Sequence, residues 1–170
     1  TIDGGAGTDT LNVVLGTAGT VSPQLTSIET VKITSTANVT VDLLGASSVT
    51  SVSSIGSSGT VDINNISTTS ASVTIQSTDQ NHTVDFLNSA VTGTADAATV
   101  TLSNVTGGTL TVDAAIEDVT FVSSGGANTT GTTTTSANTV TVTGAENLTL
   151  GGTLSKAETI DASAATGKFT

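Results

Sequence analysis

The chain has 170 residues, about a third of them Ser or Thr, and carries a net charge of −11 with no Cys, Met, Trp or Tyr. This acidity disfavours nucleic acid and anionic membranes as partners. The sequence contains no run of 18 apolar residues of the kind that spans a membrane. Catalysis on sugars by a solenoid enzyme needs basic and aromatic side chains, and the chain has neither Arg, Trp nor Tyr. We therefore expect no enzymatic activity.

The first distinctive pattern is GGAGTDTLN at residues 4–12, which matches the calcium-binding nonapeptide GGxGxDxUx. Glycines such as Gly5 and Gly7 permit left-handed backbone angles, which can turn carbonyl oxygens toward one point. Asp9 adds a charged oxygen, and Asp3 precedes the turn; calcium prefers six to eight oxygen ligands. The pattern predicts a calcium site with Asp9 as its best ligand. The alternative is a Gly-rich turn in which Asp9 only caps the backbone.

Short runs of alternating apolar and polar residues follow, and each predicts a strand with one apolar face. They lie at 39–43, 61–63, 73–75, 84–86, 100–102, 110–112, 119–121, 140–142 and 148–150. Residues 23–30 predict one turn of helix. The low-complexity stretch 124–138 predicts a surface loop. The only histidine, His82, has no second His or Cys to form a transition-metal set, and we expect it in a loop.

The acidic residues follow two repeated units. Thr-(Val/Ile)-Asp occurs six times and ends at Asp3, Asp42, Asp62, Asp85, Asp113 and Asp161. Glu-x-aliphatic-x-apolar begins at Glu29, Glu117, Glu146 and Glu158. Repeats of this kind, with short strands and small turn residues, predict an all-β fold, a parallel β-solenoid of β-helix or β-roll type. An antiparallel β-sandwich of short strands is the alternative.

The predicted organisation is one solenoid module over residues 1–170, with the Gly-rich calcium-type turn and first rung in residues 1–25. Rungs about 4.8 Å apart would number seven to nine, giving a rod of roughly 35–45 Å. Because the sequence begins in mid-pattern, we expect it to be a fragment of a longer chain.

Alternation places Asp42 and Asp62 on the outer face, between inward-pointing aliphatic residues. In stacked rungs such carboxylates would repel unless water or a cation screened them. Two interpretations stay open: a row of calcium sites that includes Asp42 and Asp62, or a solvated acidic stripe that discourages sheet pairing. Glu29 shares the inward parity of Val31, so its carboxylate should accept N–H groups of a corner or bind calcium.

GGAGTDTLN, followed by SIETVKITSTANVTVDL and later AETIDASAATGKF, resembles bacterial surface-layer (S-layer) proteins with segments of the repeats-in-toxin (RTX) type. The resemblance implies a Ca²⁺-dependent structural protein that is secreted to the cell surface, by type I secretion from a Gram-negative bacterium. It implies self-association into a two-dimensional lattice, with cell-surface polysaccharide as a further candidate partner. RTX segments carry tandem nonapeptides that share ions, whereas this sequence has one.

Two other functions stay open. The chain could be a stalk or repeat segment of a large RTX-type adhesin. It could also be an ice-binding solenoid, since Thr-x-Thr occurs at 99–101, 109–111, 139–141 and 141–143, although the irregular spacing disfavours a regular array. Residues 159–167 repeat the Thr-Ile-Asp frame of residues 1–9 without its Gly and Asp9 equivalents, so we expect no calcium there.

Overall fold

A computed structural model describes the whole chain, residues 1–170. The strands are β1 (Ile2–Asp3), β2 (Thr10–Leu15), β3 (Gly19–Val21), β4 (Leu25–Thr26), β5 (Thr30–Ser35), β6 (Val39–Asp42), β7 (Ser51–Ile55), β8 (Val61–Ile66), β9 (Ser72–Thr78), β10 (His82–Phe86), β11 (Ala97–Val105), β12 (Thr109–Val112), β13 (Asp118–Ser124), β14 (Asn128–Thr130), β15 (Thr132–Thr134), β16 (Thr139–Gly144), β17 (Leu148–Leu150) and β18 (Thr159–Asp161). The one helix is a 3₁₀ turn over Asn88–Ala90. No helix is long and apolar enough to span a membrane.

The strands form a parallel β-solenoid of about eight turns, as predicted. The main sheet has eight strands in the order β18-β16-β13-β11-β9-β7-β5-β2, and the second has six in the order β15-β12-β10-β8-β6-β3. Neighbours in each sheet come from successive turns of the chain, and all of them pair in parallel. This pairing excludes the antiparallel sandwich.

The turns keep a period of about 21 residues with one exception. In the main sheet Leu11 lies opposite Val31, which begins a column of inward aliphatic residues. The column continues to Val73, which lies opposite Val100, 27 positions later. Residues 87–96, which include the 3₁₀ turn, occupy the additional length outside the strands. Insertions of this kind are tolerated because they lie between strands and leave the register of the core unchanged.

One hydrophobic cluster of 31 buried residues runs along the axis between the sheets. Phe86 and Phe121 are the largest of its fully buried side chains, and most of the others are Val, Ile and Leu. Each such side chain contributes about 1.5–3 kcal/mol when it is removed from water. Thr and Ser alternate with them on the outer faces, where a β-branched polar residue suits a strand.

Polar side chains line the interior of the corner between the eight-stranded and the six-stranded sheet. Ser35 Oγ donates to the carbonyl oxygen of Leu15 at 3.1 Å, and Ser57 Oγ accepts the N–H of Ser35 at the same distance. Both serines are buried. Such bonds satisfy the backbone where the chain turns inward and the ladder of the sheet is interrupted.

The prediction that His82 lies in a loop is wrong. His82 is the first residue of β10 and is buried. Its Nδ1 lies 3.0 Å from the carbonyl oxygen of Gln80, and its Nε2 lies 2.9 Å from Ser54 Oγ. Burial lowers the pKa of His82 from its usual value, although the Gln80 carbonyl and Asp62 act in the opposite direction.

Two further predictions of local structure are wrong. Residues 124–138 do not form a surface loop, because they contain β14 and β15 and bury Thr130 and Thr133. The hydroxyls of these two threonines form a hydrogen bond with each other, so both can be buried and the Thr-rich run forms part of a rung. Residues 23–30 contain the short strand β4 and the start of β5, with no helical turn.

Candidate metal centre at the Gly-rich corner

The Gly-rich segment forms a corner between β1 and β2. Asp3 ends β1, and its Oδ1 accepts the N–H of Gly5 at 3.0 Å, which starts the turn. Gly5 and Gly7 have φ angles of +83° and +123°, in the region that glycine adopts without strain. Gly4 donates its N–H to the carbonyl oxygen of Thr26 in the next rung, at 3.0 Å. The corner is therefore held in position at its entrance by backbone hydrogen bonds.

Asp9 ends the corner and is fixed by the next rung through both of its backbone groups. Its carbonyl oxygen accepts the N–H groups of Glu29 and Thr30, at 3.2 and 3.0 Å. Its own N–H donates to Glu29 Oε2 at 2.9 Å. The side chains of Asp9 and Glu29 are thus brought to the same corner by two successive turns.

Asp9 Oδ2 is the one buried side-chain oxygen or nitrogen in the structure that has no hydrogen-bond partner. The surroundings of Gly4 show how closely the carboxylate is enclosed. A Cβ atom on Gly4 would lie 2.6 Å from Asp9 Cβ and 2.8 Å from Asp9 Cγ, and it would also collide with the carbonyl oxygen of Ser27. Burying a carboxylate oxygen without a partner is unfavourable, so this oxygen has unused capacity to bind a donor or a cation.

The groups at this corner fit a hard cation. The Asp9 carboxylate, the Ser27 carbonyl and the Glu29 carboxylate are all oxygen donors, which calcium prefers and which zinc sites with Cys and His do not resemble. No group of three or more His, Cys, Asp or Glu side chains is placed to hold a metal ion. Backbone carbonyls and water would therefore have to complete a shell of six to eight ligands.

The structure does not bring Asp42 and Asp62 to this corner. Both belong to the six-stranded sheet, where their sequence neighbours are buried and they point outward, as alternation predicted. Asp42 lies opposite Asn64 and Asp62 lies opposite Thr40, so the two aspartates stand two positions apart in the register. The rungs therefore do not place them in one row of carboxylates.

The Thr-(Val/Ile)-Asp unit has a structural role that the sequence analysis missed. In four of its six copies the aspartate Oδ1 accepts the N–H group two residues later, at 2.8–3.0 Å: Asp3, Asp42, Asp113 and Asp161. This is the hydrogen bond of an Asx turn, which lets the chain leave a strand sharply. The signal was present in the sequence for three of them, since Asp3, Asp113 and Asp161 are followed by Gly, Ala or Ser, whereas Asp42 is followed by two leucines.

Hydrogen bonds and neighbours set the pKa values of these aspartates differently. The side chain of Asn65, then the N–H of Leu44, lower the pKa of Asp42. Burial, followed by repulsion from Asp113, raises the pKa of Asp85. Asp85 and Asp113 therefore repel each other, as expected for carboxylates in stacked rungs.

The expectation that Glu residues accept N–H groups at corners is confirmed for Glu29 and Glu117. Glu117 Oε2 accepts the N–H of Asp96 at 2.8 Å, which repeats the bond from Asp9 to Glu29. The two corners differ at the aspartate side chain. Asp96 Oδ2 accepts the N–H of Gly93 at 2.9 Å, whereas Asp9 Oδ2 has no partner. The Gly-rich corner is therefore the one with a free carboxylate oxygen.

Some of the Thr-x-Thr pairs stack in register on the outer face of the main sheet. Thr99, Thr120 and Thr141 form one column. The neighbouring column contains Thr101 and Thr143, with Val122 between them. The irregular spacing in sequence therefore conceals a partly regular array of hydroxyl groups.

The fold and this corner define a parallel β-solenoid with one Gly-rich corner suited to a hard cation. Comparisons of the chain with protein-family profiles, with curated proteins and with solved structures found no match. The assignment of a function therefore depends on the fold and on the chemistry of the corner.

Proposed function

We propose that the chain is a structural module of a secreted, calcium-dependent, self-assembling bacterial surface-layer protein. The observation that carries this proposal is the buried Asp9 Oδ2 without a partner, enclosed by Gly4 and the Ser27 carbonyl in a turn of the calcium-binding nonapeptide type. The resemblance of the sequence to S-layer proteins with RTX segments supports the same function.

The proposed role of calcium is to make folding conditional on the ion. Asp9, Glu29 and, at the entrance, Asp3 place negative charge at one corner of a chain that already carries a net charge of −11. A bound calcium ion would supply the positive charge that this corner lacks. Because the corner forms only in the folded chain, binding energy adds to folding energy. In a cytoplasm with little free calcium the chain would remain exportable, and it would fold outside.

The rod itself suits a structural role. Its two faces present mainly Thr and Ser, its core is continuous along the axis, and each rung is hydrogen-bonded to the next. Eight rungs about 4.8 Å apart give a length of roughly 38 Å. A stiff rod with polar faces can hold a fixed distance within a lattice.

Thermal unfolding with calcium and with EGTA tests the proposal. Extracellular calcium modules bind with dissociation constants of about 10⁻⁴–10⁻³ M. Calcium at about 10 mM would then stabilise the fold by about 1.4–2.7 kcal/mol, and raise the melting temperature by about 3–10 °C. Asp9→Asn should abolish this increase. The matched control Asp161→Asn removes the same charge from the related 159–167 corner and should retain it. Equal melting temperatures for the wild type in both conditions would contradict the proposal.

A stalk or repeat segment of an RTX-type adhesin is the closest alternative, since it would use the same rod and the same ion. Electron microscopy of the purified protein with calcium distinguishes the two functions. Ordered two-dimensional sheets support the surface layer, and isolated rods support the adhesin.

Ice binding is a second candidate because Thr99, Thr120 and Thr141 stack in register. A regular hydroxyl array can order water at a fixed repeat. Lys32 and Val122 lie in the adjacent column and interrupt it, which weighs against this function. A solution of the folded protein without thermal hysteresis would eliminate ice binding.

A further inference from the structure

A series of buried hydrogen bonds, which we call the corner network, connects His82 to the two preceding rungs. His82 Nε2 lies 2.9 Å from Ser54 Oγ, and Ser54 Oγ lies 3.0 Å from Ser57 Oγ. Ser57 Oγ accepts the N–H of Ser35 at 3.1 Å. All of these residues are buried, with at most 3% of each exposed. The corner network therefore joins β10 to β7 and β5 through the inside of one corner.

The partners of His82 fix the direction of every hydrogen bond in the corner network. Nδ1 lies 3.0 Å from the carbonyl oxygen of Gln80, which can only accept, so Nδ1 carries a hydrogen. The neutral imidazole then has a bare Nε2, which accepts the hydroxyl hydrogen of Ser54. Because Ser54 has no second hydroxyl hydrogen, Ser57 donates to Ser54 and accepts from Ser35. With neutral His82, every donor of the network has an acceptor.

Protonation of His82 gives the corner network one hydrogen too many. Nε2 of the imidazolium must donate, and Ser54 Oγ becomes its acceptor. If Ser54 then donates to Ser57, the hydroxyl hydrogen of Ser57 has no acceptor; if Ser57 continues to donate, that of Ser54 has none. Neither hydroxyl has another partner in the structure. Because a buried unpaired donor and a buried charge are both unfavourable, protonation disfavours the closed corner.

No carboxylate faces the ring nitrogens of His82, both of which meet neutral oxygens. Burial lowers the pKa of His82 most strongly, whereas the Gln80 carbonyl and Asp62 on β8 act in the opposite direction. The other strands around β10, which are β7, β9, β11 and β12, contain no charged residue. In the turn before β10, the Asp79 carboxylate accepts a hydrogen bond from the Gln80 side chain, and on β10 itself Asp85 alternates to the outer face. The closed corner therefore offers the imidazolium no ion pair.

A small cavity beside His82 gives water limited access to this corner. Gln80, Thr109 and Thr130 line it together with His82, and it has room for about one water molecule. Ser54 and Ser57 do not line the cavity. Water there would reach the imidazole but not the serine hydroxyl that lacks an acceptor, which is satisfied only if the corner opens.

We propose that the corner network is an acid-sensitive joint, in which protonation of His82 reverses its hydrogen bond with Ser54 and opens the corner between the rungs of β5, β7 and β10. Opening is local, because each rung of a solenoid contacts only its neighbours. The joint is separate from the Gly-rich corner and does not require calcium binding or assembly. A rod with this joint loosens when the pH falls below the ordinary range of histidine.

Nuclear magnetic resonance of the ¹⁵N-labelled protein in calcium, between about pH 7.5 and 5, tests the joint. Because His82 is the only histidine, its imidazole signals are unambiguous. At the upper pH they should show a hydrogen on Nδ1 and none on Nε2. As His82 becomes protonated, hydrogen exchange of the Ser35 amide, corrected for its intrinsic pH dependence, should accelerate about tenfold or more. The Phe121 amide in β13 should keep its protection.

Variants separate the joint from a merely structural role of His82. His82→Gln cannot titrate in this range, so exchange of the Ser35 amide should be the same at all pH values. Ser54→Ala interrupts the corner network, so the imidazole should still titrate but exchange at Ser35 should no longer follow it. Asp62→Asn removes a charge that favours the imidazolium, so the transition should move to lower pH with the same amplitude.

A hydrogen on Nε2 of the neutral imidazole overturns the inference, because the hydrogen bonds would then run in the other direction. An unchanged Ser35 amide in the wild type, while the imidazole signals show protonation, also overturns it. So does an equal acid effect in His82→Gln, which would assign the opening to other groups. An imidazole that stays neutral until the whole chain unfolds excludes a local joint.

Discussion

The carboxylate of Glu29 accepts the backbone N–H of Asp9 at 2.9 Å, across 20 residues of sequence. Glu117 and Asp96 repeat the same bond at 2.8 Å, so the solenoid uses one acidic side chain to fix the corner of the preceding rung in two places. A hydrogen bond to a charged acceptor contributes about 1.5–3 kcal/mol. Glu29 and Glu117 therefore have a structural function that does not require a metal.

Removal of Glu117 tests the strength of this corner bond. Glu117→Ala should lower the free energy of unfolding by about 1–3 kcal/mol, because the N–H of Asp96 loses its acceptor. Glu117→Gln keeps an acceptor oxygen, so its free energy of unfolding should fall by less. Urea unfolding followed by circular dichroism measures both. Glu146→Ala is the control, since the Glu146 side chain makes no hydrogen bond, and it should change stability by about 0.5 kcal/mol or less. Equal losses for Glu117→Ala and Glu146→Ala would show that the corner bond is unimportant.

Gly4→Ala tests the enclosure of the Asp9 carboxylate. The new Cβ would meet the Ser27 carbonyl oxygen and the Asp9 side chain, so the corner must open. We expect a loss of about 1–3 kcal/mol from overpacking, together with loss of the calcium effect on melting. Gly16→Ala is the matched control in the next corner, because its Cβ would lie 3.8 Å from Thr36 Oγ1 and makes ordinary contact. A Gly4→Ala protein with normal stability and a normal calcium effect would contradict the geometry of the corner.

His82 makes the stability of the fold depend on pH. Because burial lowers the pKa of His82 in the folded chain below the ordinary histidine value of about 6.5, the unfolded chain binds the proton more readily. Its contribution is therefore fully present above pH 6.5 and decreases as the pH falls below 6.5, until folded His82 is also protonated. Unfolding free energies of the wild type and His82→Gln between about pH 8 and 5 measure this effect, and the contributions of carboxylates distant from His82 cancel in the difference. A difference that does not change with pH would contradict the burial of a neutral imidazole.

The sequence was sufficient to predict the solenoid, because the alternation within strands and the repeat of the acidic units both indicate stacked, equivalent turns. Strand alternation defined one inward face, and the repeated acidic units showed that successive turns present equivalent positions. The corner role of Glu29 also followed from parity, since an inward carboxylate at the start of a strand needs N–H donors. Each of these inferences used spacing within one rung or between adjacent rungs.

The remaining features depend on packing between rungs, which spacing in sequence does not reveal. His82 was predicted in a loop, because its role depends on Ser54, 28 residues earlier in the chain. The Thr-rich run 124–138 forms a rung because Thr130 and Thr133 satisfy each other inside the corner. Asp62 is out of line with Asp42 because the two copies of Thr-Val-Asp stack with a shift of two residues.

The most direct test of the central claim is a calcium titration by isothermal calorimetry, with the wild-type chain and with Asp9→Asn. The account predicts one ion bound by the wild type through the Gly-rich corner, with a dissociation constant of about 10⁻⁴–10⁻³ M, and no binding at that corner in the variant. Absence of binding to the wild type, or unchanged binding in Asp9→Asn, would contradict it.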